Sequence, residues 1–218
     1  MRPPILKPRA IRILCLIAAA VITVGVDTSC SAPRSQLHWV SSTTEVSKVG
    51  TEIRQTDGAG RPLPFKTLFP HRWNGGNDGT TYEPCTAVND DVLTQFSLEP
   101  SSVRDAAIAD NQTVRGCAWM VKGSRFSTLS QTLGNITTLD KYKASKVPAI
   151  EWLPDIQVAE RRAAVGTFGP DECSTYIMSG SAVVVSSATG DINPPPPLDE
   201  TCSRAIAFTK ATIDKMPL

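Results

Sequence analysis

Histidine is scarce in this chain, with only His38 and His71 among 218 residues. A Ser–His–acid catalytic set needs a histidine base, and the sequence contains no Gly-x-Ser-x-Gly motif. His38 lies in a Ser/Thr-rich segment and His71 in a Pro/Gly-rich one, so we interpret both as surface side chains. The sequence therefore predicts no catalytic residue and no enzymatic activity.

Closely spaced cysteines are also missing. None of the six cysteines forms a Cys-x-x-Cys pair, the spacing that thiol redox chemistry and zinc sites favour. The segment NGGNDG at 74–79 lacks the Lys-Ser/Thr of a P-loop and the closing Glu of a calcium loop. We interpret it as a plain turn, and we expect no cofactor and no metal site.

The sequence has no dense cluster of Lys and Arg. Its formal net charge is +1, and the part that follows the basic N-terminal leader is mildly acidic. Proteins that bind nucleic acids concentrate positive charge on one surface to meet the phosphates. We therefore expect no nucleic acid partner.

Only one long apolar run is present, at 13–26, and it is 14 residues long. Four basic residues precede it: Arg2, Lys7, Arg9 and Arg12. A positive leader followed by a short apolar run is typical of a secretory signal peptide, here residues 1–30. A membrane-spanning helix needs about 20 apolar residues, so an uncleaved membrane anchor is the weaker alternative. The rest of the chain is expected outside the cytoplasmic membrane.

Cys30 follows this run within the stretch VDTSCSAP, residues 26–33. Thr28 and Ser29 suit the two positions before a lipidated bacterial cysteine, whereas Asp27 stands where an apolar residue is expected. We predict that Cys30 carries a lipid. The protein would then be held at the cell membrane, on its extracytoplasmic face.

Four cysteines remain in the exported part: Cys85, Cys117, Cys173 and Cys202. An even number in an exported chain indicates disulfides. Three pairings are possible, and we favour Cys85 with Cys117 and Cys173 with Cys202, because each pair joins nearest neighbours in the sequence.

Turn residues and hydrophobic periodicity divide the chain into a flexible tether at 31–61 and a single domain at 62–218. An extended Pro/Gly-rich arm opens the domain. Helices are predicted at 90–97, capped by Asn89, and at 137–145. Strands are predicted at 113–122, 124–133, 160–168 and on both sides of the Ser-Gly-Ser at 179–181.

The chain ends in a predicted amphipathic helix that begins after four prolines, with Asp199 as its cap. The apolar stripe has helical spacing and consists of Cys202, Ile206, Thr209, Ile213 and Met216. A disulfide from Cys202 to Cys173 would attach this helix to the strands. The predicted fold is α+β: an antiparallel β-sheet flanked by short helices and a C-terminal helix, with two disulfides.

Three stretches carry a resemblance: RWNGGNDGTTYEPCTAV, VRDAAIADNQTVRGCAW and DETCSRAIAFTKATIDKMP. They resemble an actinobacterial, largely mycobacterial, family of small exported lipoproteins classed as a domain of unknown function. The shared frame is Pro84-Cys85, Gly116-Cys117-Ala118-Trp119, Cys173 and a Pro-rich stretch before Cys202. The resemblance implies a lipid-anchored α+β domain with two disulfides and no assigned activity, and Asp27 departs from it.

Two tryptophans stand out. Trp119 lies two residues after Cys117, so on a strand it shares the face of that cysteine, and we expect it to pack on the disulfide. Trp152 precedes a proline by two residues and could line a groove at the rim of the sheet.

The first functional hypothesis is a non-catalytic interaction or sensing module at the cell surface. Its partner would be an envelope protein, a lipid or a wall component. The alternative is a carrier of a small apolar, lipid-like ligand, which needs a cavity of roughly 300 Å³ or more. A third hypothesis is an enzyme with an unrecognised carboxylate site, which would show clustered acids of perturbed pKa.

Overall fold

The computed structural model describes residues 52–191 and 194–218. Seven antiparallel strands form one sheet in the order β1-β2-β3-β7-β6-β5-β4. The strands are β1 (Arg104–Asp105), β2 (Arg115–Met120), β3 (Thr128–Asn135), β4 (Glu151–Val158), β5 (Arg161–Gly169), β6 (Glu172–Ser179) and β7 (Ala182–Thr189). Pairing of β3 with β7 joins a first group of strands, β1 to β3, to a second group, β4 to β7.

Four α-helices accompany the sheet in the described part of the chain: α1 (Pro84–Ala87), α2 (Asp90–Gln95), α3 (Leu139–Ser145) and α4 (Leu198–Thr212). Asn89 caps α2 by accepting a hydrogen bond from the Val92 amide, as predicted. Thr138 caps α3 in the same way. The α+β prediction is confirmed, whereas the one-turn helix α1 was not anticipated from the sequence.

Helix α4 begins one residue before the predicted cap. Pro197 occupies the N-cap position, and Asp199 lies in the first turn without a capping side-chain bond, so the prediction that Asp199 caps the helix is wrong. The Pro197 carbonyl accepts from the amides of Glu200 and Thr201, which leaves no capping role for the Asp199 carboxylate. Asp199 still places negative charge at the positive end of the helix dipole.

The main core lies between α4 and one face of the sheet. Phe208 of α4 is fully buried and makes edge-to-face contacts with Phe96 and Trp119, with ring centroids 5.2 and 6.2 Å apart. Trp119 shares this core cluster with Cys85 and Cys117. This arrangement agrees with the prediction that Trp119 packs on the Cys85–Cys117 disulfide.

Both predicted disulfides are present. Cys85 of α1 pairs with Cys117 of β2, with their Cα atoms 5.3 Å apart. Cys173 of β6 pairs with Cys202 of α4, at 4.9 Å. The second bond joins α4 covalently to the sheet.

Strand β4 was not predicted from the sequence. It forms one edge of the sheet, and its pairing with β5 shifts register between Leu153 and Ile156. Pro154 lies in this irregular stretch. Proline has no amide hydrogen to donate, and it is therefore tolerated at sheet edges and bulges. Because Pro154 interrupts the strand pattern, the sequence did not predict this strand.

The predicted tether at 31–61 lies outside the described residues up to Thr51. Its last part, 52–61, contacts the domain. Thr56 forms a bridge with Pro62, and the buried Asp57 side chain accepts a hydrogen bond from the Thr86 hydroxyl at the end of α1.

Candidate binding groove

The two faces of the sheet differ in how they are covered. In a strand, successive side chains point to opposite faces. Cys173 and Thr175 of β6 contact α4, so Ser174 and Tyr176 point to the other face. Helix α3 covers only part of that second face, and a groove occupies the rest.

The groove has a volume of about 390 Å³ and is half open to solvent. Strands β3, β5, β6 and β7 form its floor, and Thr113, Val114 and helix α3 complete its lining. Phe168 of β5 lines the groove and is 55% exposed. The volume lies at the lower end of the range of ligand pockets, roughly 300 to 1,000 Å³.

An aromatic cluster closes one end of this face. Tyr176 of β6 packs against Trp152 of β4, with ring centroids 4.9 Å apart, and against Tyr142 of α3, at 5.3 Å. Gly166 of β5 lies between them, and a Cβ there would stand 3.0 Å from Trp152 Cε3. The missing side chain at Gly166 thus lets the indole lie across β5 and reach Tyr176.

Two hydrogen-bond donors in this cluster are buried without a partner. Neither Tyr176 Oη nor Trp152 Nε1 makes a hydrogen bond within the described residues. Burial raises the pKa of Tyr176, and the Ser174 hydroxyl, which is close enough to oppose that rise, forms no hydrogen bond of normal geometry with Tyr176 Oη. Ser174 Oγ is already bonded to Ser187 Oγ at 2.7 Å. Buried polar groups are almost always hydrogen-bonded, so these two donors are exceptions that call for an acceptor.

Two lysines of this region lie over the aromatic rings. Lys143 Nζ stands 5.2 Å from the Trp152 ring and also pairs with Asp155. Lys146 Nζ stands 5.3 Å from the Tyr142 ring, lines the groove, and has no carboxylate partner within the described residues. No Asp or Glu lines the groove. The groove therefore presents one positive charge and no negative one.

Carboxylates outside the groove are mostly held by hydrogen bonds. Burial alone would raise the pKa of Asp57, but bonds from Thr86, Arg61 and Ala59 lower it to about 2. Hydrogen bonds from Lys143 and Arg162 lower the pKa of Asp155. Glu172 differs, because burial raises the pKa of its carboxyl. It lies on β6 with Ser174 and does not line the groove.

A second cluster of charges is buried beside the Cys85–Cys117 disulfide. Glu83 accepts hydrogen bonds from Arg72 and from Arg115, at 3.0 and 2.6 Å, and Arg72 also pairs with Asp105. Arg72 donates further to Cys85 Sγ and to a backbone carbonyl. Every charge has a partner and lies in the interior, so this cluster fixes the arm to the sheet and offers no open site.

The remaining predicted residues have different outcomes. Cys30 and His38 lie outside the described residues, so lipidation remains a prediction. His71 is exposed and bonds to Asp110 at 2.7 Å. Trp152 lies at the edge of the sheet in the aromatic cluster, but its neighbours Tyr142 and Tyr176 line the groove in its place.

The sequence did not single out Tyr142, Lys146, Phe168 or Tyr176. One signal could have found Tyr176: it stands three positions after Cys173 in a predicted strand, so it points away from the face that carries the disulfide. The contribution of α3 depends on how that helix folds over the sheet, which no local pattern shows.

Metal-binding clusters and membrane-spanning helices are missing from residues 52–191 and 194–218. No group of three or more His, Cys, Asp and Glu side chains there could hold a metal ion. In the same residues, no helix combines the length and the apolar character needed to cross a bilayer.

These features define a disulfide-stabilised α+β domain with a half-open groove on one face of an antiparallel sheet. The family described as Protein of unknown function (DUF3558) matches residues 28–215, and the chain belongs to this family. No curated protein and no solved structure matches the chain.

Proposed function

We propose that the protein is a non-catalytic binding module, anchored at the cell surface, that engages its partner through the groove. The observation that carries this proposal is the groove itself. It is open and partly aromatic and has a volume of about 390 Å³. Its floor includes Tyr176, whose buried hydroxyl has no hydrogen bond within the described residues. Pockets that combine apolar walls with a few convergent polar groups are the usual form of binding sites.

The proposed location follows from the leader and the cysteines. The positive N-terminus with its short apolar run directs export, and Cys30 provides the lipid attachment that keeps the protein on the extracytoplasmic face. Two disulfides support export, because such bonds persist in oxidising compartments. The resemblance to actinobacterial envelope lipoproteins agrees with this location.

The second candidate is a carrier of a small apolar ligand. The volume of the groove favours it, since about 390 Å³ exceeds the roughly 300 Å³ that a small ligand pocket needs. The open side of the groove favours the interaction module, because a carrier gains from enclosing its ligand.

A photo-crosslinking experiment in intact cells tests the proposed function. A photoreactive phenylalanine analogue is placed at Phe168 in one strain and at Phe126 in another. Both side chains are 55% exposed, but only Phe168 lines the groove. Illumination should give adducts at position 168 that are missing at position 126, as read by mass spectrometry. Equal yields at both positions, or none at Phe168, would contradict the proposal.

A further inference from the structure

Two polar groups of the groove stand out within the described residues, a buried donor without a hydrogen bond and a cation without a carboxylate partner. Tyr176 Oη is buried and unpaired, and Lys146 carries the only charge in the lining. The Asn135 side chain is already used, because it accepts from the Gly79 amide and donates to the Gly75 carbonyl. What the groove lacks is an acceptor with negative charge.

The rest of the lining is mixed, because apolar and aromatic side chains lie among the hydroxyls of Thr113, Thr132, Ser145 and Ser187. Phe168 and Val114 are exposed in the groove, and Val183 and Val185 of β7 form part of the floor. Contact with these side chains favours a ligand with an apolar body, since removing apolar surface from water is favourable by about 25 cal/mol per Å². A ligand that combines such an apolar body with a negatively charged acceptor group is an anionic amphiphile.

We infer that the groove binds an anionic amphiphile. Its acidic head group pairs with Lys146 and accepts a hydrogen bond from Tyr176 Oη, and its apolar body lies along Phe168 and β7. This inference rests on the proposed function, because it uses the same groove. A neutral sugar fits less well, because it brings no negative charge to Lys146.

The Tyr142 ring controls access to the buried donor. Tyr176 is 0% exposed, and Tyr142 of the short surface helix α3 packs against it. In the proposed complex the Tyr142 ring turns aside so that the head group reaches Tyr176 Oη, and Lys146, which directly follows α3, provides the cation beside it. Glu172 lies on the same strand as Tyr176 but does not line the groove.

Calorimetry on the full chain in nanodiscs of neutral lipid tests this inference. The probes are octanoate, octyl phosphate and octyl glucoside, which share a chain and differ in the head group. We expect both anions to bind at least tenfold more tightly than octyl glucoside, since only the anions offer a charged acceptor to Lys146 and to Tyr176 Oη. Tighter binding of octyl phosphate would assign a phosphate head, and tighter binding of octanoate a free acid. Octyl glucoside binding as tightly as the anions would overturn the inference.

Matched variants locate the head group. Lys146→Met should weaken octanoate binding roughly tenfold, whereas Lys141→Met, an exposed lysine on α3 outside the groove, should leave it unchanged. Tyr176→Phe should also weaken binding roughly tenfold without lowering the unfolding temperature, because the hydroxyl has no partner to lose. Equal effects of the two lysine variants, or a lower unfolding temperature for Tyr176→Phe, would overturn the assigned roles.

The indole N–H spectrum gives an independent readout. Octanoate should shift the Trp152 signal, which the Trp152→Phe variant identifies, because Trp152 packs on Tyr176. Photo-adducts at Phe168 in cells without binding of either anion would overturn the anionic ligand and leave the groove as the interaction site. Absence of both adducts and binding would overturn the proposed function as well.

Discussion

Glu83 shows how a single residue can hold distant segments together. Its carboxylate lies between Arg72 of the arm and Arg115 of β2, and all three side chains are almost fully buried. A buried ion pair contributes little net stability compared with apolar residues, but removing one partner leaves an uncompensated charge. The stability of this region therefore depends on each member being present.

Replacement of Glu83 with Gln should lower the unfolding free energy by about 3–5 kcal/mol, because the buried Arg115 loses its carboxylate partner and the buried Arg72 keeps only Asp105. Denaturant unfolding followed by circular dichroism measures this. The control is Glu160→Gln, an exposed residue without an ion pair in the described part of the chain, which should change the free energy by less than about 0.5 kcal/mol. Similar losses in both variants would refute the role of Glu83.

Asp57 should make stability depend on acid pH. Its folded pKa of about 2 lies below the ordinary value of 3.8, so its ionised form stabilises the fold. That contribution, about 2 kcal/mol, is fully present above about pH 4 and is lost as the pH falls towards 2. The difference in unfolding free energy between the wild type and Asp57→Asn should thus shrink between pH 4 and pH 2. A constant difference across this range would show that the carboxylate charge is not responsible.

At the scale of elements, strand β5 is built to receive neighbouring side chains. Ala164 and Gly166 point to the groove face, where Trp152 from β4 and Tyr176 from β6 meet. Small residues on the middle strand leave the volume that the two aromatic rings fill. The sheet can therefore carry an aromatic cluster on a face that no long helix covers.

Gly166→Ala should displace the indole and destabilise the fold by about 1–3 kcal/mol. The new Cβ would stand 2.5 Å from Ile150 Cγ2 and 3.0 Å from Trp152 Cε3. Tryptophan fluorescence and thermal unfolding measure the change. Gly169→Ala on the same strand is the control, since its nearest neighbour would be Asp171 Oδ1 at 3.6 Å. A normal emission spectrum and stability for Gly166→Ala would contradict this packing.

At the scale of the whole molecule, the disulfides and the sheet both stabilise the domain. One bond ties α1 to β2 and the other ties α4 to β6, so each group of strands has its own covalent link. In the chain-entropy model, closing loops of this length is worth about 3.5–4 kcal/mol each. Such links suit a domain that works outside the cell.

The lipid anchor that we propose at Cys30 predicts that the whole protein is found in the membrane fraction. Cys30→Ser should release the protein from the membrane fraction, because a serine cannot carry the thioether-linked lipid. Cell fractionation with immunoblotting measures this, and Cys15→Ser is the control, because Cys15 lies within the apolar leader. A Cys30→Ser protein that stays in the membrane at unprocessed size would instead show an uncleaved N-terminal anchor.

Strong local patterns allowed most elements to be predicted. A high content of β-branched and aromatic residues marked β6 and β7, Asn89 marked the start of α2, and the four-three spacing marked α4. Strand β4 escaped because Pro154 interrupts its pattern, and the Asp199 cap was wrong because Pro197 begins the helix earlier. Helices and strands can thus be predicted where the side-chain periodicity is regular, and their prediction fails where a proline interrupts that periodicity.

The sequence by itself determined the cysteine frame and the antiparallel α+β class, because these depend on residue types and short-range spacing. Only the tertiary structure decided the groove. Its lining comes from four strands, from α3 and from the segment before β2, which are distant in sequence and meet because β3 pairs with β7. The unpaired Tyr176 hydroxyl likewise exists only once the strands are in register, since burial and the lack of a partner are properties of packing.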